Sequence, residues 1–162
     1  MRKFTMVSPM LWKDRRFRGL SSQGAKLTML YFITSPHQNS AGCYHLPDGY
    51  ASADMGISEA DYRGFRKEVV DAGLVIFDED TSEIFIVGWF EDNPVTNENH
   101  YQGCERLVMQ IESEKVGDAA QAALQQSEDR RHAATQAKAR RRSATAPDVP
   151  SEDFGHEHRR VG

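Results

Sequence analysis

The stretch GYASADMGISEADYRGFRKEVVDAG, residues 49–73, decides the fold of this chain. It reads as two helices joined by a tight turn. The first is short, about Asp48 to Met55, and stops at Gly56, a residue that takes the left-handed conformation without steric cost. The second opens on Ser58 as N-cap, with Asp61 three residues on as an acidic variant of the capping box. Ile57 and Tyr62 flank that cap as a hydrophobic staple. Tyr62, Phe65 and Val69 then recur at helical spacing on one face, and Gly73 ends the run. Arg63, Arg66 and Lys67 fall on the opposite face. A helix packed on one side, cationic on the other and held against a short partner is the helix-turn-helix plan.

The residues that follow sharpen this reading. Leu74 to Phe77 is an apolar, β-prone run, Asp78 to Ser82 is a polar turn, and Glu83 to Trp89 is a second apolar run. Two strands around a polar turn make a hairpin. Directly after a helix-turn-helix, a hairpin is the wing of a winged helix. Upstream, Ser22 opens a helix to about Ile33 that is apolar on more than one face and suits a central packing role; Ser35-Pro36 ends it. Cys43 to Leu46 is a short strand expected to join the hairpin as a third member. The expected fold class is therefore α+β: a winged helix-turn-helix with a three-helix core and a small antiparallel wing over residues 1–96.

Two further regions complete the chain. Residues 97–127 are expected to form a helical extension, beginning near Asn97 with a narrow apolar stripe of Cys104, Leu107, Val108 and Ile111. Val116-Gly117 interrupts it, and Ala119 to Gln126 forms a second helix whose alanine face buries little area and need not be docked. Residues 128–162 contain almost no large apolar side chains; Arg130, Arg131, Lys138 and Arg140 to Arg142 make them basic. This tail is expected to be disordered, with transient helix to about Arg142.

The formal charge of -4 argues against a uniformly cationic DNA-coating protein, but the charge is unevenly spread. Met1 to Lys26 holds seven Lys or Arg against one acid, Asp14. Within it Leu11, Trp12 and Phe17 read as anchors that position Lys13, Arg15, Arg16 and Arg18 as a phosphate-contacting arm. No apolar run has signal-peptide or membrane-spanning character, and with two cysteines the simplest expectation is a cytoplasmic protein with reduced thiols and no membrane partner.

Taken together, Leu11-Trp12, Phe17, Leu20-Ser21, Leu30-Tyr31 and Gly42 to Pro47 resemble the N-terminal domain of phage replication proteins, the replisome organisers. The likeness continues through Ala53 to Ser58, Ala72 to Val75, Val87 to Phe90, Asn93-Pro94, Asn97 and His100, so that it covers about Met1 to Ile111. The resemblance implies a winged helix that binds origin DNA and a C-terminal region that recruits helicase or helicase-loader proteins. Here that region is short and poor in large apolar residues.

The site expectations follow. Arg63, Arg66 and Lys67 are placed to meet duplex DNA in the major groove or on flanking phosphates, and Ser52 and Ser58 to donate hydrogen bonds to phosphates near the helix N-terminus. The acids of the wing tip, Asp78, Glu79, Asp80 and Glu83, would repel phosphates, so the wing is expected to stay out of the groove and face a protein. Cys43 with His45, and His100 with Cys104, each share a face and have zinc-ligand chemistry, but nothing in the sequence brings the pairs together. Buried thiols with surface histidines are the expectation, and no metal or other cofactor is called for. No phosphate loop, nucleophile elbow or paired-carboxylate signature is present, and His156-Glu157-His158 lies in the tail, so an enzyme is not expected. A transcriptional regulator with the same helix-turn-helix, and a protein-interaction adaptor that makes no DNA contact, are the alternatives.

Overall fold

The computed structural model describes residues 5–144. Among them the fold is α+β, with seven α-helices and one three-stranded antiparallel sheet, a layout compatible with a winged helix. A 3₁₀ turn at Pro9–Lys13 leads into α1 (Arg15–Arg18), then α2 (Gln23–Thr34), β1 (Cys43–His45), α3 (Asp48–Met55) and α4 (Glu59–Asp71). The hairpin β2 (Val75–Asp78) and β3 (Glu83–Ile86) follows, then α5 (Trp89–Asp92), α6 (Glu98–Val108) and α7 (Glu114–Ala144).

Local chemistry sets these boundaries. Ser22, Ser58 and Asn97 each accept a backbone N–H two or three residues inside their helix, so α2, α4 and α6 start where a side chain can satisfy an orphan donor. The Ser58 cap differs from a full capping box. Its hydroxyl accepts from Asp61 N–H at 3.1 Å and donates to the Asp61 carboxylate at 2.7 Å, so the acid grips the hydroxyl rather than the Ser58 backbone. Gly56 ends α3 at φ 68°.

The middle strand is β3, flanked by β1 and β2, with Cys43 and Ile76 both opposite Phe85. Every residue of β3 is buried, which requires cover on both faces. One face packs on the helices. The Tyr44 hydroxyl donates to the Phe32 carbonyl at 2.7 Å, and Phe77 lies beneath a side chain of α4. Between α2 and α4 the approach is set by Gly24, where an added Cβ would lie 2.3 Å from the Phe65 ring. Buried Ala25, Thr28, Met29 and Phe32 form a single stripe of α2, whereas Leu27 is exposed, so this helix is packed on one side rather than all round.

Helix α7 contacts all three strands on the other face and is itself packed by α5 and α6. Here the expectation is corrected twice. Val116-Gly117 does not interrupt the chain but lies inside one 31-residue helix. Nor is the alanine-rich segment undocked: Val116, Ala120 and Leu124, spaced four apart, are fully buried and belong to the same core as the sheet. Small alanines let the helix axis come close while valine and leucine supply the buried area. The second strand of the hairpin is also shorter than expected, because Gly88 at φ 83° turns the chain and Trp89 enters α5. From His132 to Ser143 the helix is exposed on every side. The disorder expected over residues 128–162 is corrected for 128–144, which continue α7 as helix; the remainder, with His156-Glu157-His158, lies outside the described residues. No helix among them is long and apolar enough to cross a membrane.

Candidate nucleic-acid interface

The three cations expected on one outward face of α4 separate into two kinds. Arg66 is buried, its side chain 4% exposed. One guanidinium nitrogen bonds Asp48 at the start of α3, and the other meets both Glu79 oxygens at 2.6 and 2.7 Å. Its carbon sits 3.9 Å above the Phe77 ring and 5.6 Å from that of Tyr62. The planar, weakly hydrated guanidinium suits stacking and a fork of carboxylates at once. Arg66 is thus a clasp joining α3, α4 and the hairpin turn, which corrects its placement as a DNA contact. Only the counter-charges are tertiary: Asp48 and Glu79 neutralise the arginine, whereas its burial follows from helical spacing, since Arg66 lies four residues after Tyr62 and three before Val69 on the buried side of α4.

Arg63 and Lys67 do face solvent. Arg63 meets Asp48 at 2.6 Å and Glu59 at 3.0 Å, and Lys67 meets Asp71 at 2.6 Å. The hydrogen bond to Asp48 raises the Arg63 pKa further above its ordinary value. Exposed residues of α4 thus carry Glu59, Asp61 and Asp71 beside these two cations. Ser52 is corrected: it is buried, and its hydroxyl donates to the Gly49 carbonyl at 3.2 Å. Ser58 is exposed but engaged in its cap on both sides.

The acids of the hairpin turn also have partners inside the molecule. Beyond Glu79 on Arg66, buried Glu83 accepts from the backbone N–H of Glu112 (3.0 and 3.1 Å) and of Ser113 (2.7 Å). Asp78 accepts from the Ser113 hydroxyl at 2.5 Å, and this hydrogen bond holds its carboxyl below the ordinary aspartate value. The Ser113 hydroxyl in turn accepts from Val116 N–H. Two hairpin carboxylates therefore seat the positive N-terminal end of α7. The expected outward, partner-facing wing is instead folded onto its own chain, and of its four acids Asp80 is the one exposed without a side-chain partner among the described residues.

The N-terminal arm behaves differently. Asp14 caps α1 and grips Arg16 at 2.8 Å, which lowers the Asp14 pKa and raises that of Arg16. Arg16 also donates to the Gly73 carbonyl at 2.9 Å, tying the arm to the C-terminal end of α4. A second tie comes from Glu68 on α4. Its carboxylate accepts from the N–H groups of Ser21 and Ser22 and from the Ser22 hydroxyl, capping α2 from outside. Burial works against that charge, but the bonds from Ser22 and Ser21 outweigh it and lower the pKa. Lys13, Arg15 and Arg18 are exposed and enter no ion pair among the described residues. Phe17 is a buried anchor as expected, whereas Trp12 is not: it is 60% exposed, its ring held edge-on to Phe17 at 5.2 Å. On the second half of α7, Arg130, Lys138, Arg140 and Arg142 are likewise exposed.

The cysteine–histidine set does not assemble as four ligands. Cys43 and Cys104 are both buried, and burial followed by the nearby Cys104 pushes the Cys43 thiol up to about 12. His45 is exposed, and the His100 ring accepts from Thr96 N–H at 3.3 Å. Among the described residues no group of three metal-ligating side chains forms.

Sequence reasoning missed Asp48, Glu79, Glu83 and Glu68 as fixed counter-charges. Only Asp48, at a helix start, carried any local signal of its place. Compared with protein families, with curated proteins and with solved structures, the chain matches none of them.

Proposed function

We propose that the chain is a winged helix-turn-helix protein that binds double-stranded DNA and acts in replication initiation of the phage type. The observation that carries the reading is the α3–Gly56–α4 pair, backed by a β-hairpin, with the cationic arm tied to the end of α4 through Arg16 and Gly73. Phosphate contact rests on Lys13, Arg15 and Arg18, with Arg63 and Lys67 in support. The helix pairs Arg63–Glu59 and Lys67–Asp71 are exposed and open to solvent screening, so a phosphate can compete for Lys67 and for the part of Arg63 that Asp48 does not hold. The replication role, with helicase or helicase-loader partners, rests on the sequence resemblance, and a transcriptional regulator would use the same elements.

Anisotropy titration with random duplex at low salt tests this. With roughly four phosphates neutralised, log K against log salt should slope near −3.6. A flat response removes the reading. Replacing Arg63 and Lys67 together by alanine should weaken binding by up to about 1–3 kcal/mol per lost base contact. Equal affinity of wild type and double variant excludes α4 as the reader.

One observation favours a second reading. The exposed residues of α4 include three carboxylates against two cations, a balance that suits a protein partner better than DNA. Absence of any gel shift at low salt, with capture of a replicative helicase or its loader, would select this adaptor.

A further inference from the structure

Trp12 and Trp89 are the two tryptophans of the chain, and the fold treats them oppositely. Trp89 is 3% exposed, and its indole N–H donates to the Ser40 carbonyl at 2.9 Å. Trp12 stands 60% in solvent on the Pro9–Lys13 turn, although a large indole left in water forgoes much of the burial free energy open to it. It is not loose. The edge-on contact with buried Phe17 fixes its ring against α1. Lys13 is its chain neighbour, and Arg15 and Arg18, three apart on α1, share a helix side. Asp14, the acid within this turn, is already committed to Arg16. The arrangement is an exposed indole, held by one ring contact, on an arm whose cations Lys13, Arg15 and Arg18 enter no ion pair among the described residues.

We propose that this arm is a single-stranded DNA contact, in which an unpaired base stacks on Trp12 while Lys13, Arg15 and Arg18 meet its flanking phosphates. Stacking needs a base face that a duplex hides inside its helix, so the platform selects unpaired over paired strands. The charge of the arm selects a polyanion. The contact deepens the replication reading, because an initiator that holds opened strands needs such a surface, yet it stands on different residues from α4 and does not require α4 to read DNA.

The fluorescence of the full-length chain reports on it directly, since the Trp89 signal is shielded. Titration with an oligothymidylate should quench the Trp12 emission, and the same strand annealed to its complement should quench it far less. In anisotropy with the labelled oligothymidylate, Trp12→Ala should bind roughly tenfold more weakly, and Trp12→Phe, which keeps an aromatic face, should retain most of the affinity. Duplex binding by Trp12→Ala should stay near wild type, so loss of the single-strand contact and loss of the α4 reading are told apart. Equal quenching by single strand and duplex overturns the stacking proposal, as does no quenching by either. A blue-shifted emission with vesicles of phosphatidylcholine and phosphatidylserine, without quenching by oligothymidylate, overturns it in favour of a lipid surface.

Discussion

Around α4 and the hairpin turn the cations Arg63, Arg66 and Lys67 have each met a carboxylate, whereas in the N-terminal arm Lys13, Arg15 and Arg18 enter no ion pair among the described residues. Both regions look cationic in sequence, and the arm and α4 lie close enough for Arg16 to reach Gly73. The difference teaches that a basic residue on a helix is evidence of a binding surface only once its neighbours in space are known. In the first region arginine and carboxylates are structural parts. Arg66 locks three elements, while Asp78 and Glu83 seat a fourth. In the second, three cations stand in solvent without an ion pair among the described residues.

The largest effect that would sharpen this contrast is on stability. Arg66→Ala strips a stacked guanidinium from Phe77 and leaves Asp48 with its Arg66 partner gone, so it should cost about 3 kcal/mol in chemical denaturation. Its specific effect on DNA should be nil once folded protein is compared. A variant of wild-type stability that bound DNA poorly would break the distinction, making Arg66 a contact after all.

Arg15→Ala with Arg18→Ala should do the reverse. Both side chains are exposed without ion pairs, so denaturation midpoints should barely move, while the salt dependence of binding should flatten by about 1.8 in slope for two lost phosphate contacts. An unchanged slope would remove the arm from the interface and return the argument to α4.

The smallest effect concerns pH. The Asp78 pKa is lowered by the hydrogen bond from Ser113, so its carboxylate contributes stability that is complete above the ordinary aspartate value of about 3.9 and is lost as pH falls through the lower folded value. Glu68 of α4, whose carboxylate caps the start of α2, has the same sign. Acid titration by circular dichroism should show part of the stability of the wild type fading below about pH 4, with a shallower dependence in Asp78→Asn. Identical acid profiles would show that the seating of α7 does not use that charge.

Much of the fold was legible because its signals are local. Ser58 and Gly56 bracket the turn, and Tyr62 and Val69 mark the buried side of α4. The polar run between Phe77 and Glu83 marks the hairpin. Part of the site was legible too: Arg63, Lys67, Lys13, Arg15 and Arg18 are exposed as read. What could not be read was the fate of Trp12 and the alanine-rich helix, and the counter-charges of Arg66, although its place four residues after Tyr62 already set it on the buried side of α4. The partners of Arg66 lie 18 and 13 residues away, and nothing in a helical wheel marks them. For α7, Val116 and Leu124 are too sparse to announce a docked helix, and the exposed underside of a sheet that calls for one exists only after three strands have paired.

The sequence by itself thus determined where α3 and α4 begin and end, because a cap or a left-handed glycine acts within one turn of the chain. It determined also that the hairpin follows a helix pair, since helical spacing gives way there to two continuous β-prone apolar runs around a polar turn. Only the tertiary structure decided which charges are spent within the molecule and which large ring is left outside. That choice depends on desolvation and on carboxylates arriving from distant elements, and neither exists before the chain has folded.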